Sequence, residues 1–351
     1  MKVLFRTDAS IRLGSGHLMR CMTLARELRT KGFHITFVCR DLPSSLQLLL
    51  EQEEYPLWTL SVESGGASQG WQEDAAGTAE CIKEGGTRAD WVVVDHYDLD
   101  VRWEMSLRDY ADKIMVIDDL ADRMHECDLL LDQNLHDGSP YRERVPTGTE
   151  VLMGPHYALL RDEFQQARQH AALKTGIVRQ MVICFGSTDP TGETTKALAA
   201  VRQLNLRDID VDVIVGASNP RVRKIAELCA ALPYIHFHLQ VSDMANFLAR
   251  TDLALGGAGV STWERLALGV PSLVVAVADN QVENMRQLQK LGLAIKLGIS
   301  REVSVSGMAR AISGMLSSPD ELKAMSQRAF NFVDGKGTSR VADRLMMVAR
   351  A

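Results

Sequence analysis

The chain has 351 residues, 46% of them hydrophobic and 24% charged, with 39 Lys+Arg against 45 Asp+Glu for a formal net charge of −6. That length exceeds the roughly 250 to 300 residues at which single cores stop growing, so two domains are expected, and the composition excludes a disordered chain, a coiled coil or a small stapled scaffold. The mild acidity and the lack of any basic run argue against nucleic acid or an anionic membrane as partner.

The opening MKVLFRTDAS is charged again by position 6 and has no apolar core of the kind that secretory signals carry, which predicts a cytoplasmic protein. Residues 2–6 read as an apolar strand. Gly14-Ser15-Gly16 punctuates, and 17–31 carries Leu18, Met22, Leu24, Ala25 and Leu28 at helical spacing. A strand at 33–39, a helix at 43–54, a short strand at 57–60, a helix at 74–84 and strands at 91–95, 113–118 and 129–132 follow. Such alternation predicts a parallel sheet with right-handed crossovers. The polar, Gln- and Arg-rich stretch 161–179 reads as an interdomain connection. A second series begins with the strand 180–185 and continues with a helix at 194–204, strand 210–215, helix 221–231, strand 235–239, helix 242–250, a strand at 253–255, a glycine turn, a helix through 268, the strand 272–277 and further helices. The longest apolar runs, such as 272–278, fall far short of the ~20 residues that cross a bilayer, so no integral membrane association is expected. Six cysteines include no CxxC pair, which predicts free thiols in a reducing compartment and neither a zinc site nor a disulfide framework.

Two glycine turns carry the chemistry. LGSGHLMR (13–20) places small residues where a strand hands over to a helix, so that backbone N–H groups face an anion with the helix dipole behind them. The third glycine of a dinucleotide fingerprint is absent, Met19 standing in its place, which argues against a nicotinamide cofactor. A tight turn without a ligand is the alternative. His17 lies on the first turn of the helix and off the stripe of Leu18, Met22 and Ala25, and a helix N-terminus keeps such an imidazole neutral and able to accept a proton. The alternative is a capping or surface histidine.

The second turn, LGGAGVSTWERLALGVP (255–271), offers backbone amides, the hydroxyls of Ser261 and Thr262, and Glu264, a carboxylate suited to both hydroxyls of a ribose. Ser261 and Glu264 also fit a capping box. In VADNQVENM (277–285), Asn280 and Gln281 stand at a strand's carboxyl end, where amides suit sugar hydroxyls or N-acetyl groups. Asp118, Asp119 and Asp132 form carboxylate clusters without Cys or paired His nearby, and loop capping is their default role.

With these residues in view, RTDASIRLGSGHLMRCMTLA, DHYDLD, IDDLADRMHECDLLLDQN, GPHYALLRDEF, FGSTDP, GGAGVSTWERLALGVP, the NQ at 280–281 and DGKGTSR resemble the UDP-2,4-diacetamido-2,4,6-trideoxy-β-L-altropyranose hydrolases of pseudaminic acid biosynthesis, over nearly the whole chain. The resemblance implies an α/β, GT-B-like fold of two Rossmann-like domains with parallel sheets facing a central cleft. It also implies an N-terminal domain at 1–160, a connection at 161–179 and a UDP-binding domain at 180–351. Carried over, the family's GxGHxxRC segment falls on Gly14, Gly16, His17, Arg20 and Cys21, with His17 as the base; Gly14, Gly16 and Arg20, together with Tyr97, Asn280 and Gln281, would bind substrate, and Gly257, Gly259, Ser261, Thr262 and Glu264 would hold UDP. The implied reaction is inverting hydrolysis at the anomeric carbon without metal or other cofactor, with a UDP-sugar as partner, in a pathway serving surface polysaccharide or flagellin glycosylation. The alternative is a glycosyltransferase of the same fold. The family's FGGSDP reads FGSTDP here, with Ser187 in place of a glycine.

Overall fold

The computed structural model describes residues 1–10, 14–60, 70–86 and 88–349, and it divides the chain into two compact units, Met1–Leu159 with Gly337–Ala351, and Leu160–Lys336. Part of the first glycine segment, Ile11, Arg12 and Leu13, lies outside the described residues.

In unit 1 the alternating pattern forms β1 (Lys2–Thr7), α1 (Gly16–Thr30), β2 (His34–Cys39), α2 (Ser44–Gln52), β3 (Leu57–Thr59), α3 (Trp71–Glu84), β4 (Ala89–Asp95), α4 (Val101–Leu107), β5 (Ala111–Ile117), β6 (Leu129–Asp132) and β7 (Glu150–Met153). The strands pair in parallel in the order β3-β2-β1-β4-β5-β6-β7. Helices cover both faces of such a sheet, so its strands are apolar runs rather than alternating ones: Trp91, Val92, Val93 and Val94 of β4 are all buried. One face packs Phe5 on Phe37, ring centroids 5.2 Å apart, beneath Leu18, Met22 and Leu28 of α1; the other packs Trp103 of α4 against Ile82 and Val92.

Unit 2 comprises α5 (Asp162–His170), β8 (Gln180–Cys184), α6 (Glu193–Leu204), β9 (Asp210–Val215), α7 (Val222–Ala230), β10 (Ile235–Leu239), α8 (Met244–Arg250), β11 (Leu253–Gly257), α9 (Ser261–Ala267), β12 (Ser272–Ala276), α10 (Gln281–Lys290), β13 (Ile295–Ile299), α11 (Val305–Leu316) and α12 (Pro319–Phe332). Its sheet is again parallel, in the order β10-β9-β8-β11-β12-β13.

The boundaries differ from those expected at both ends. The 161–179 stretch is no linker: α5 belongs to unit 2, where Phe164 is fully buried and the Arg168 guanidinium lies 3.5 Å from the Phe330 ring centre while donating to the Phe330 carbonyl at 2.6 Å. The C-terminal boundary is not 351 either. The last helix, α13 (Gly337–Val348), returns to unit 1, where Val341, Ala342 and Leu345 join the core beneath α1. Only glycine fits at 337, since a Cβ there would sit 2.3 Å from the Ala158 carbonyl oxygen.

Unit 1 buries an unusual set of charges. His125, 2% exposed, has Nδ1 2.7 Å from Glu104 Oε1 and Nε2 3.9 Å from Asp118 Oδ2. Burial opposes its protonation, but the two carboxylates prevail and raise its pKa from 6.5 to about 9. A raised histidine stabilises the fold fully below its unfolded pKa, and that contribution is lost as pH climbs through the folded one. Unit 1 is therefore expected to lose denaturant stability between pH 6.5 and about 9. His125→Gln should flatten that decline; chemical denaturation at several pH values checks it, and equal slopes in both proteins would refute the assignment.

Candidate active site

Ligands of open α/β sheets bind outside the carboxyl ends of the strands where the strand order reverses. That point lies between β1 and β4 in unit 1 and between β8 and β11 in unit 2. Both glycine turns follow one of these strands.

In unit 1, Thr7 pairs with Asp95 in register, so the ends of β1 and β4 bring the start of α1 and the Asp95-His96-Tyr97 segment together. Gly14 turns the chain with φ 78°, a left-handed conformation that favours glycine. Positions 17, 20 and 21 then share a helix face directed at Asp95. His17 Nδ1 lies 2.6 Å from Asp95 Oδ1; Arg20 donates through Nε to Oδ2 at 2.5 Å and through Nη2 to Oδ1 at 2.6 Å; the Cys21 thiol is 3.6 Å from Oδ2. A carboxylate only accepts, so Nδ1 carries a hydrogen toward Asp95, and Nε2 is the ring nitrogen left over. Nε2 makes no hydrogen bond among the described residues and is not one of the sealed, unpartnered atoms of the interior.

Burial pushes the Asp95 carboxyl up, but the Arg20 guanidinium and His17 outweigh it and hold Asp95 well below the usual carboxylate range. Arg20 Nη2 also lies 3.1 Å from His17 Nδ1, so the cation and the imidazole share the one carboxylate. Tyr97 meets the His17 ring edge-on, centroids 4.5 Å apart, and hydrogen-bonds Asp119; burial and that carboxylate keep its phenol protonated.

Arg20 is 3% exposed, and its guanidinium is paired with Asp95 and, through Nη1 at 2.9 Å, with Asp119, so it orders the carboxylates of the site. Asp119 is correspondingly no loop cap. Asp118 and Asp132 do accept local backbone N–H groups, from Ala121 and Asn134, each at 2.8 Å. Asp95 itself was missed, although a carboxylate closing an apolar strand, with a His-x-x-Arg helix start elsewhere in the same unit, was available as a signal.

The Ser15, Gly16 and His17 N–H groups donate to no backbone carbonyl among the described residues, leaving the first turn of the 15-residue α1 open to an anion. A Cβ placed on Gly16 would meet nothing within 4 Å there. Packing therefore does not require glycine at 16. Gly16→Ala should keep or slightly raise the melting temperature, since Ala is the better helix former, yet impair turnover by crowding the ligand's approach. Calorimetry beside kinetics tests this, and undiminished turnover would detach Gly16 from the site.

In unit 2, β11 ends in Gly256 and Gly257, and the N–H groups of Gly259, Val260 and Ser261 donate to no backbone carbonyl among the described residues. Consecutive free amides form an anion-binding concavity. Gln281 closes one side: its Nε2 lies 3.1 Å from where a Gly259 Cβ would be, while its Oε1 accepts from the Val277 N–H at 3.2 Å. Asn280 precedes α10 without capping it through its side chain, and Asn284 steadies the turn by donating to the Ala258 carbonyl at 2.7 Å. The capping box does not form, because α9 begins after Val260 with no side-chain cap. Glu264, 18% exposed, pairs with Arg161 at 3.3 Å; burial pushes its carboxyl up and Arg161 pulls against that.

Thr262 is fully buried, with its N–H donating to the Gly259 carbonyl at 2.9 Å and its hydroxyl donating to the Gly257 carbonyl at 3.3 Å, so it shapes the turn. Asp189 of the FGSTDP loop is likewise structural, accepting from the Glu193 and Thr194 N–H groups at 2.9 and 3.0 Å at the head of α6.

Residues 182–344 match the model of the glycosyltransferase family 28 C-terminal domain. The chain superposes with a TM-score of 0.70 on the crystal structure of MurG from Acinetobacter baumannii, covering 99% of this chain and 100% of that one at 14% identity. The fold is of the GT-B class. Within that class, the chain is similar to the UDP-2,4-diacetamido-2,4,6-trideoxy-β-L-altropyranose hydrolase of Campylobacter jejuni, 26% identical over 299 residues, which are 84% of this chain and 99% of that protein. The resemblance read from the motifs thus extends along nearly the whole relative. A spore coat polysaccharide biosynthesis protein of Bacillus subtilis, SpsG, is 28% identical over 201 residues, 57% of this chain and 59% of that protein. Among the described residues, no helix is long and apolar enough to cross a membrane.

Proposed function

We propose that this GT-B protein hydrolyses a UDP-linked 2,4-diacetamido-2,4,6-trideoxy sugar at its anomeric carbon, with inversion, releasing UDP and the free sugar. The observation that carries the reading is the His17–Asp95 pair at the strand-order reversal of unit 1, which supports taking the imidazole as the base, through Nε2. The similarity to a named hydrolase along 99% of that protein supplies the substrate class.

Nε2 removes a proton as the water oxygen bonds to C1; the C1–O bond breaks and its electron pair leaves on the β-phosphate of UDP, giving inversion by direct displacement. The free amides at Gly259 and Ser261 suit the growing charge on the diphosphate, and such preorganised donors need no reorganisation during the reaction. Glu264, beyond the turn, is the candidate for the ribose, and Tyr97, Asn280 and Gln281 are the candidates for the sugar. UDP is a good leaving group, so these groups suffice without a strong general acid.

A glycosyltransferase reading is favoured by the family 28 match at 182–344, with a sugar hydroxyl taking the place of water. Incubating the protein with a panel of UDP-sugars, with and without acceptors, and measuring UDP release separates the two. In ¹⁸O-water, label in the free sugar supports attack at C1. Label in UDP would mean attack at phosphorus and would overturn the mechanism.

A further inference from the structure

Arg265 is 3% exposed and lies directly under the glycine turn of unit 2. Its guanidinium donates to the Gly257 carbonyl at 2.7 Å, to Thr262 Oγ1 at 3.1 Å and to the hydroxyls of Ser261 and Ser272, each at 3.2 Å. Every one of these acceptors is neutral. A buried cation normally hydrogen-bonds a carboxylate, as Arg20 and Arg6 do in unit 1; Glu264 acts on Arg265 only through space and is itself paired with Arg161, so the charge under the turn is incompletely compensated, which costs stability unless it serves a ligand. Burial lowers the Arg265 pKa to about 10, still protonated at neutral pH.

The hydrogen-bond directions add a second consequence. Guanidinium groups only donate, so Arg265 occupies a lone pair of Ser261 Oγ and leaves the Ser261 O–H as a donor. No acceptor takes that hydrogen among the described residues, and Ser261 is half-buried beside the free amides of Gly259 and Val260. The turn thus presents donors over a buried positive charge. That combination selects a group that is anionic and purely accepting, and it discriminates against a hydroxyl or a water of equal size.

We propose that Arg265 is the positioning residue that makes this turn specific for the diphosphate of the nucleotide, by supplying its charge and by orienting the Ser261 hydroxyl as a phosphate donor. This rests on the assignment of the turn to UDP, and it goes further in separating the part of affinity that belongs to the phosphates from the part that belongs to the nucleoside.

Calorimetric titration of uridine, UMP and UDP into the full chain and its Arg265→Met, Arg265→Lys and Ser261→Ala variants is the test. Loss of a charge-assisted contact is expected to weaken UDP about 10- to 100-fold in Arg265→Met, UMP less, and uridine by no more than about twofold. Arg265→Lys should recover much of the loss, with a smaller salt dependence lost than in the Met variant, and Ser261→Ala should weaken UDP but add little on top of Arg265→Met. Should Arg265→Met fail to fold, the Lys and Ala variants carry the same comparison. Equal weakening of uridine and UDP in these variants, or none, would overturn the role of Arg265 while leaving UDP binding intact. A wild-type protein that binds neither UMP nor UDP would instead overturn the nucleotide site itself.

Discussion

His17→Leu is expected to reduce UDP-sugar turnover by about 10²- to 10⁴-fold, the usual contribution of a positioned general base, with UDP affinity nearly unchanged. The split follows from the placement of the groups. On the proposed reading Nε2 of His17, in unit 1, is the basic atom, whereas the turn proposed for UDP belongs to unit 2. Leu keeps volume and apolar contact with the Tyr97 ring, so the folded population should persist. Steady-state kinetics and UDP calorimetry on the same preparation decide the matter. Retention of wild-type turnover would remove His17 from the mechanism, and a parallel fall in UDP affinity would show that it binds the nucleotide instead.

Asp95→Asn should be nearly as damaging to turnover while touching no substrate. An amide at 95 can present its NH₂ to His17 Nδ1; the ring then carries its hydrogen on Nε2 and has lost the lone pair that faces water. The analogous change in the serine-protease triad, a standard worked case, costs about 10⁴-fold through the wrong tautomer, which sets the upper end here. The variant also deprives Arg20 of one of its two carboxylates, and breaking a buried pair typically costs about 3–5 kcal/mol, so lower thermal stability is expected as well. A purely structural role would reduce the folded fraction and leave the activity of the folded remainder intact. Measuring turnover per folded molecule distinguishes these outcomes: normal specific activity would make Asp95 a scaffold residue only.

The alternation of strand and helix was legible along most of the chain, because a parallel sheet covered on both faces needs apolar runs of five to seven residues separated by amphipathic helices. Less legible were β7 and β13, most of whose residues are only partly buried: Glu150, Val151 and Met153 at one sheet edge, Ile295, Leu297 and Gly298 at the other. Edge strands bury one side less and so carry a weaker apolar signal. The 161–179 stretch misled for a related reason. Its helix packs through Phe164 and the aliphatic and planar parts of Arg168, and a long side chain that covers an aromatic ring reads as polar in composition.

Among the site residues, glycine turns and hydroxyls were visible because turn chemistry is local. Thr262 shows the limit of that reasoning: a hydroxyl in the right motif faces inward, since at the second position of α9 it lies over the Gly257 carbonyl. Asp119 and Arg265 were invisible as functional groups because their meaning comes from partners, and Asp95 showed only as a carboxylate closing an apolar strand. Asp95 and His17 are 78 positions apart, and Arg20 and Asp119 are 99 apart.

The amino-acid sequence by itself determined that this is a two-part α/β protein with an anion-suited turn in each half, a histidine beside the first and a serine and a glutamate beside the second, since periodicity, punctuation and turn residues act over a few positions. Tertiary structure alone decided which strand ends are neighbours. A crossover can place the next parallel strand on either side, and the reversal after β3 sets β4 beside β1 just as the reversal after β10 sets β11 beside β8. That choice carries Asp95 to His17 and puts Arg265 under the turn beside the end of β8, and it is made by the packing of whole layers, through contacts between residues too far apart in the chain for any local pattern to record.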